Sequence, residues 1–373
     1  SNDNKINPEV YKSLENNDII EVIIKLKDNS SQTINILNDS GINENEKYKN
    51  YVQTEISYNE LKNFEKNNKI ERIERIHRIS AFLTDSVLLI NASIVWPVQI
   101  SGINITGFNE TVCIIDTGIN FSHSDLIGKN KSCIIDCYNK ICIENCSIGD
   151  DNGHGTHVAG IVAASGGING VAINISLIGV KVLNSAGQDS DSSTLDLSRA
   201  IDYCVLQNVS VISMSLGTSS PNLYSNDCSS TYSLWADSIG AAVVKNISVV
   251  IAAGNDGNVT AISSPACIAN ATAVGSIRKD DSTIEFNRNS LVQLIAPGYL
   301  ITSTKSTGGY EIRTGTSMAT PHAAGAFALL RQFFRLQNNR ILTPLEMKNI
   351  FNNSGKRIND AGSGLTFSRI NVY

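Results

Sequence analysis

The sequence predicts an α/β protein, a mostly parallel twisted sheet with helices on both faces, preceded by a small α+β unit. Three observations carry this. From about residue 111 onward, short and wholly apolar strands such as Val112-Cys113-Ile114-Ile115 alternate with helical stretches, the pattern of a parallel sheet covered on both faces. Asp116, Ser215 and Asn255 each stand just past the end of such a strand, where open α/β sheets gather their functional groups. Residues 1 to about 83 differ in character, being rich in Asn, Lys and Glu with Gly41 as the one glycine.

Composition sets the outer limits. A chain of 373 residues, 42% hydrophobic, accommodates one large domain and one small one. The net charge of -5 argues against a nucleic-acid binder, and no apolar run reaches the roughly 18 residues of a membrane span. The chain starts at Ser1 without a signal peptide, so any targeting segment is expected to have been removed or left out. Eight cysteines, and sequons at Asn29, Asn91, Asn104, Asn109, Asn174, Asn246, Asn258 and Asn270 among others, favour an extracellular or cell-surface compartment, although the chain is Asn-rich throughout.

In the small unit, residues 20–26 and 51–56 read as strands. Ser57 reads as an N-cap, with Glu60 completing a capping box for a helix to about Asn68. Residues 70–76, charged and apolar by turns, read as a half-exposed strand. A linker is expected from Thr84 to about Thr111. Beyond it come strands at 112–115, 177–183, 209–215 and 248–253, with helices at 194–207 and 234–245. Domain boundaries are therefore expected at 1–83 and 84–373.

Gly315 to Gly325 opens a helix that runs on through Leu330, small or apolar at nearly every position and so buried all round. Pro321 lies in its first turn, where a missing N–H costs little. The leading N–H groups lack partners within the helix, and its dipole favours negative charge there. Ser317 at this tip suits a nucleophile that develops anionic intermediates, and reads equally as an ordinary N-cap. A serine nucleophile needs a base, and the base an orienting carboxylate. Of the five histidines, His77 falls in the small unit, His123 in a polar loop, and His322 on the serine's own helix. His154 and His157 remain, within Asp150-Asp151-Asn152-Gly153-His154-Gly155-Thr156-His157. Glycines leave room around His154 at a helix start, whereas His157 reads as a packed histidine. Asp116, alone after its strand, is ordinarily a turn residue. The order Asp116, His154, Ser317 changes that reading, because it is the order of the subtilisin triad on a parallel α/β scaffold.

Through Asp116-Thr117-Gly118, His154-Gly155-Thr156-His157-Val158-Ala159-Gly160 and Gly315-Thr316-Ser317-Met318-Ala319 with Pro321-His322, the chain resembles the subtilases from roughly Asp85 to its end. The resemblance implies a secreted serine endopeptidase with a subtilisin-like fold. It makes Ser317 the nucleophile, His154 the general base and then acid, Asp116 the residue that fixes the imidazole tautomer, and Asn255 an oxyanion donor. Ser215, Leu216 and Gly217 match the family's substrate-binding strand edge. With Ala252, Ala253 and Gly254 opposite and Ser263-Ser264-Pro265 as floor, they wall a pocket for the side chain before the scissile bond. Those residues are small or apolar and none carries charge, so a large apolar side chain is expected there.

By element order and position the small unit resembles the family's inhibitory propeptide, a ferredoxin-like α+β domain. That implies a self-processing zymogen cleaved near Leu83-Thr84, with the propeptide as an intramolecular inhibitor. Protein or peptide substrates, no membrane span and a monomeric state are expected. A structural calcium ion is also implied, with Asp125 matching one family ligand and Asp85 falling near another. The loop after the His154 helix, Ser165 to Gly170, is shorter than the family's ligand-bearing loop, so this chain departs from the pattern there.

Cys133, Cys137, Cys142 and Cys146 form a C-x3-C-x4-C-x3-C cluster that is not a general family feature. It fits two disulfides or a tetrahedral zinc site, the spacing favouring disulfides. A zinc-binding structural protein using this cluster with His154 and His157 is therefore a rival reading. A catalytically silent subtilase is another, disfavoured because all four catalytic positions are filled. Cys113 in a strand and Cys204 in a helix read as buried free thiols. Cys228 and Cys267, in loops expected at one end of the sheet, are expected to bridge. The end at Tyr373 falls where many relatives continue, so a longer native protein is expected.

Overall fold

The computed structural model describes residues 5–15, 18–28, 46–48, 50–75, 83–138, 142–190 and 193–373. His77, Asn29 and Gly41 lie outside these residues, as do Ala81 and Phe82 just before the cleavage expected near Leu83-Thr84. The chain divides into two compact units, residues 1–79 and 80–373, a few residues before the boundary expected at 83/84.

The first unit contains α1 (Pro8–Leu14), β1 (Ile19–Leu26), β2 (Glu46–Tyr48), β3 (Tyr51–Ser57), α2 (Tyr58–Lys66) and β4 (Ile70–Arg75). Its sheet runs β4-β1-β3-β2 with every neighbour antiparallel, the strand order of a ferredoxin-like sheet. Alternation decides which face is buried: Val22, Ile24 and Leu26 of β1 join Val52 and Ile56 of β3 in one core with Leu61 and Phe64 of α2. The capping box forms as read: Ser57 Oγ accepts from the Glu60 N–H, and Glu60 Oε2 accepts from the Ser57 N–H at 2.7 Å.

The second unit begins with α3 (Leu83–Leu89) and α4 (Ala92–Val95). The segment expected to be a linker is therefore part of the fold, and Ile90, Ala92, Val95 and Ile105 enter its core. There follow β5 (Gln99–Ile100), β6 (Ile103–Asn104), β7 (Thr111–Asp116), β8 (Ile134–Asp136), β9 (Ile143–Asn145), α5 (His154–Ala163), β10 (Ser176–Lys181), α6 (Ser193–Leu206) and β11 (Val211–Met214). Next are β12 (Leu223–Tyr224), α7 (Ser233–Val244), β13 (Ser248–Ala252), β14 (Ile262–Ser263), β15 (Thr272–Ile277), β16 (Ile284–Glu285) and β17 (Val292–Pro297). The chain closes with β18 (Ile301–Thr304), β19 (Tyr310–Arg313), α8 (Thr316–Asn338), α9 (Pro344–Ser354), β20 (Lys356–Asn359) and β21 (Thr366–Arg369).

The main sheet runs β20-β21-β17-β15-β13-β11-β7-β10-β8-β9. It is parallel from β21 through β8, with antiparallel pairs at both edges. Successive β7 residues alternate between its faces. Val112 and Ile114 face the core that includes α5, α8 and α9; Cys113 and Ile115 face the core that includes α6 and α7.

That alternation corrects the reading of Cys113 and Cys204 as free thiols. Cys113 points to the face that α6 covers, Cys204 sits on the inner side of α6, and the two form a disulfide with Cα atoms 6.0 Å apart. The clustered cysteines pair as Cys133–Cys146 and Cys137–Cys142 around the β8–β9 hairpin. Cys228 bridges Cys267 with Cα atoms 5.5 Å apart. No cysteine is free. Among the described residues no helix is long and apolar enough to cross a membrane.

Candidate active site

β13, β11 and β7 are neighbours in the sheet, so residues at their carboxyl ends come together. Asp116 ends β7, Ser215 follows β11 and Asn255 lies three residues past β13. His154 is the first residue of α5, behind Gly153 in the left-handed region (φ 96°). Ser317 is the second residue of α8, whose N-cap is Gly315; the alternative of Ser317 as an N-cap is therefore not realised.

Asp116 is fully buried, and its Oδ1 accepts from His154 Nδ1 at 2.7 Å and from the Thr117 N–H at 2.8 Å. Burial disfavours a charged imidazole, but the charge and hydrogen bond of Asp116 outweigh it and raise the His154 pKa above its ordinary 6.5. With Nδ1 donating to the carboxylate, Nε2 carries the lone pair. Ser317 Oγ donates to the Ser215 carbonyl at 3.1 Å, and Ser215 Oγ donates to the Ser317 carbonyl at 2.9 Å. Asn255 Oδ1 accepts from Thr316 N and Thr316 Oγ1 at 2.9 and 3.0 Å, and among the described residues its Nδ2 donor is unengaged. The Ser317 N–H lies in the first turn of α8, where helices have no internal acceptors.

These groups open on a cleft of ≈ 840 Å³. His154, Asn255 and Ser317 line it, as do Ser215, Leu216, Gly217, Ala252, Gly254 and the floor residues Ser263, Ser264 and Pro265. Ala253 departs from expectation: strand alternation turns it into the core beneath α6 and α7, fully buried. Gly254 (φ 101°) admits no side chain, because a Cβ there would collide with the Ser263 hydroxyl.

Several supporting residues carried no sequence motif. Asp150 accepts from Thr117 Oγ1 (2.8 Å), the Gly153 N–H (2.8 Å), the Thr156 N–H (2.8 Å) and Thr156 Oγ1 (2.6 Å). One carboxylate thereby ties the turn after Asp116 to the first turn of the His154 helix, where the dipole also favours it. Lys181, nearly buried at the end of β10, donates to the Thr117 carbonyl, the Leu183 carbonyl and Asp151. A lysine closing an otherwise apolar strand was the available signal for it. Asp189, Leu197, Trp235 and Asp256 also line the cleft. The other histidines in this unit are structural. Burial lowers the His157 pKa to about 3, with Nε2 donating to the Ile301 and Glu311 carbonyls. His322 is lowered to about 4 by burial, bonded to the Met318 carbonyl and Ser86 Oγ. His123 caps the short 3-10 helix Ser124–Leu126.

Subtilases often bind calcium, yet the two carboxylates matched to its ligands do not suit it here. Buried Asp125 accepts from Ser124 Oγ (3.1 Å), the Gly167 N–H (3.1 Å), the Ile168 N–H (3.0 Å) and Tyr310 OH (2.8 Å). Donors surround both oxygens, and the shortened loop itself supplies two of them. Burial opposes the charge, but these bonds prevail and hold the Asp125 pKa below its ordinary value. Asp85 is exposed in the first turn of α3. The one group of three His, Cys, Asp or Glu ligand atoms among the described residues is Cys133, Glu144 and Cys146, and its sulfurs are bonded to each other.

The profile of the Subtilase family matches residues 107–368. The chain is 37% identical over 278 residues to the major intracellular serine protease of Bacillus subtilis (strain 168), covering 71% of this chain and 80% of that one. It is 34% identical over 250 residues to the minor extracellular protease Epr of the same organism, covering 66% of this chain but 36% of Epr. Among solved structures, a cold adapted subtilisin-like serine proteinase is 32% identical with a TM-score of 0.59, over 72% of this chain and 90% of that one. The chain belongs to the subtilase family of serine endopeptidases.

Proposed function

We propose that this chain is an exported, self-processing endopeptidase that cleaves after large apolar residues, with Ser317 as nucleophile. The observation that carries the reading is the 2.7 Å Asp116–His154 contact opening on the same cleft as Ser317 and the free Asn255 amide. For attack, Ser317 Oγ must leave the Ser215 carbonyl and turn its hydrogen to His154. His154 Nε2 accepts its proton as Oγ attacks the scissile carbonyl. Asp116 keeps the Nδ1–H tautomer and stabilises the imidazolium. The tetrahedral oxyanion takes hydrogen bonds from Asn255 Nδ2 and the Ser317 N–H. His154 then protonates the leaving amine, and water hydrolyses the acyl-enzyme by the same steps.

Before the scissile bond, Leu216, Ala252, Gly254 and Pro265 offer apolar or backbone surface, which rewards burial of a Leu or Phe by about 1.5–3 kcal/mol. Four disulfides with every cysteine paired support export, although two relatives are intracellular by name. The ferredoxin-like unit at 1–79 and the apolar Leu83 support a propeptide released near Leu83-Thr84. A fluorophosphonate probe tests the nucleophile directly: it should label wild type and leave Ser317→Ala unlabelled. The same substitution should leave the 1–373 chain uncut, whereas processing near Thr84 at the wild-type rate would refute self-cleavage.

A further inference from the structure

Fourteen Asn-x-Ser/Thr sequons run through the chain, and the fold sorts them. Some have side chains built into the structure: Asn91 Nδ2 donates to Asn371, Asn120 Nδ2 to the Ser306 carbonyl, and Asn258 Oδ1 accepts three bonds. Four others form a set. Asn109, Asn208, Asn246 and Asn270 stand just before β7, β11, β13 and β15, four adjacent strands in the order β15-β13-β11-β7. Their hydroxyl partners Thr111, Ser210, Ser248 and Thr272 begin those strands or immediately precede them. All four sequons therefore lie at the amino end of the parallel strands, opposite the end that carries Asp116 and Asn255. Asn109, Asn208 and Asn270 are exposed and Asn246 is half-buried. None of the four side chains hydrogen-bonds to another described residue.

A purely local account covers part of this pattern. Asn208 and Asn246 follow α6 and α7 in the left-handed region, at φ 52° and 58°, where asparagine commonly ends helices. Asn109 adopts the same region, at φ 62°, so the local backbone explains the asparagine at three positions, but not the hydroxyl residue two places on at all four.

We propose that Asn109, Asn208, Asn246 and Asn270 are N-glycan acceptors, modified while the exported chain is still unfolded. In the transfer, Asn Nδ2 attacks the anomeric carbon of an oligosaccharide carried on a polyprenyl pyrophosphate. The N–C1 bond forms, the C1–O bond to pyrophosphate breaks, the lipid pyrophosphate leaves, and the amide proton passes to the transferase base. The timing follows from burial. Thr111, Ser210, Ser248 and Thr272 are each at most 5% exposed, and Ser210 Oγ is bonded to Glu110 and to the Thr111 N–H, so a transferase that reads the hydroxyl cannot engage the closed sheet. The glycans then project from the floor of the sheet and leave the cleft open.

This rests on the exported reading, so the test supplies export itself. The full chain and its Ser317→Ala variant are secreted from eukaryotic cells, and glycopeptides are mapped after amidase release in heavy-oxygen water. Glycan is expected at all four sites, each lost in its own Asn→Gln variant, with kcat/KM within about twofold of the enzymatically deglycosylated protein. Unglycosylated folded chain mixed with oligosaccharyltransferase and lipid-linked oligosaccharide should take no glycan, while its unfolded, reduced form should. Bare sites on secreted, active protein would overturn the proposal and leave the protease reading intact. Glycosylated protein without peptidase activity would overturn only the latter. Modification of the folded chain at the unfolded rate would overturn the timing.

Discussion

The Asp125 arrangement predicts a catalytic unit whose stability does not depend on calcium at that carboxylate. Tyr310→Phe removes one of the four donors and leaves the rest of the side chain in place. A hydrogen bond to a charged group contributes about 1.5–3 kcal/mol. Tyr310 is 39% exposed, so water can occupy the vacated place, and the lower end, about 1.5 kcal/mol, applies. For a domain of this size that lowers the unfolding midpoint by about 3–6 °C. Asp125→Asn costs more, about 3 kcal/mol, because an amide nitrogen would then face an N–H it cannot accept from. A calcium site would behave differently: at a thousandfold excess over Kd, bound ion contributes about 4 kcal/mol, lost on chelation. The assay is calorimetry of both substitutions in the Ser317→Ala background, which prevents autolysis, in millimolar calcium and again in chelator. A midpoint that rises with calcium by more than about 5 °C, with the rise abolished by Asp125→Asn, would refute the reasoning. The pH dependence has a definite sign. A depressed carboxylate contributes stability above its unfolded pKa near 3.8, lost as pH falls through the lower folded value.

Three further predictions concern the cleft. Asn255→Ala should lower kcat about 100- to 1000-fold with KM little changed, the range known for the corresponding donor in subtilisin; steady-state kinetics that show a pure KM effect would exclude Asn255 as an oxyanion donor. Because the His154 pKa is raised, activity should fall as pH drops through a value above 6.5, and Asp116→Asn should move that limb to lower pH in a kcat/KM profile. The stabilising His154–Asp116 charge pair is present below the unfolded histidine pKa and is lost as pH rises through the folded one. Asp256, held at the cleft mouth by the Ser220 N–H and Asn287 Nδ2 at 3.0 Å each, is solvent-exposed, so Asp256→Asn should change kcat/KM for Lys or Arg before the scissile bond by no more than about fivefold. A strong basic preference abolished by that substitution would show that the rim, and not the apolar walls, sets specificity.

Much of the fold was legible because its signals are local. The strands at 112–115 and 248–253 declare themselves by unbroken apolarity, and Ser57 with Glu60 forms its box within one turn. The chemical residues were legible for a related reason: each sits in a short segment whose small neighbours the geometry requires, as with Gly155, where a Cβ would collide with the Gly118 carbonyl. The segment at 84–111 was misread because its helices and two-residue strands are too short to show a period, although Ile90 and Val95 carry it into the core.

What escaped the sequence has a common physical character. Cys113 and Cys204 pair only because one face of β7 is covered by α6, a fact set by topology across 91 residues. Tyr310 meets Asp125 across 185 residues, and the donors that complete the carboxylate are backbone N–H groups, which every residue possesses and no motif marks. Asp150 is the same case at the heart of the site. Its partners include the Gly153 and Thr156 N–H groups, so its role is visible only once the backbone has turned them towards it. Residues that react are constrained in type and leave a pattern. Residues that hold them in place are constrained by where unpaired backbone groups happen to point, and any carboxylate, hydroxyl or loop that reaches those groups can serve. The loop after α5 can therefore satisfy the Asp125 carboxylate with two backbone amides, while the segments around Asp116, His154 and Ser317 carry the chemistry.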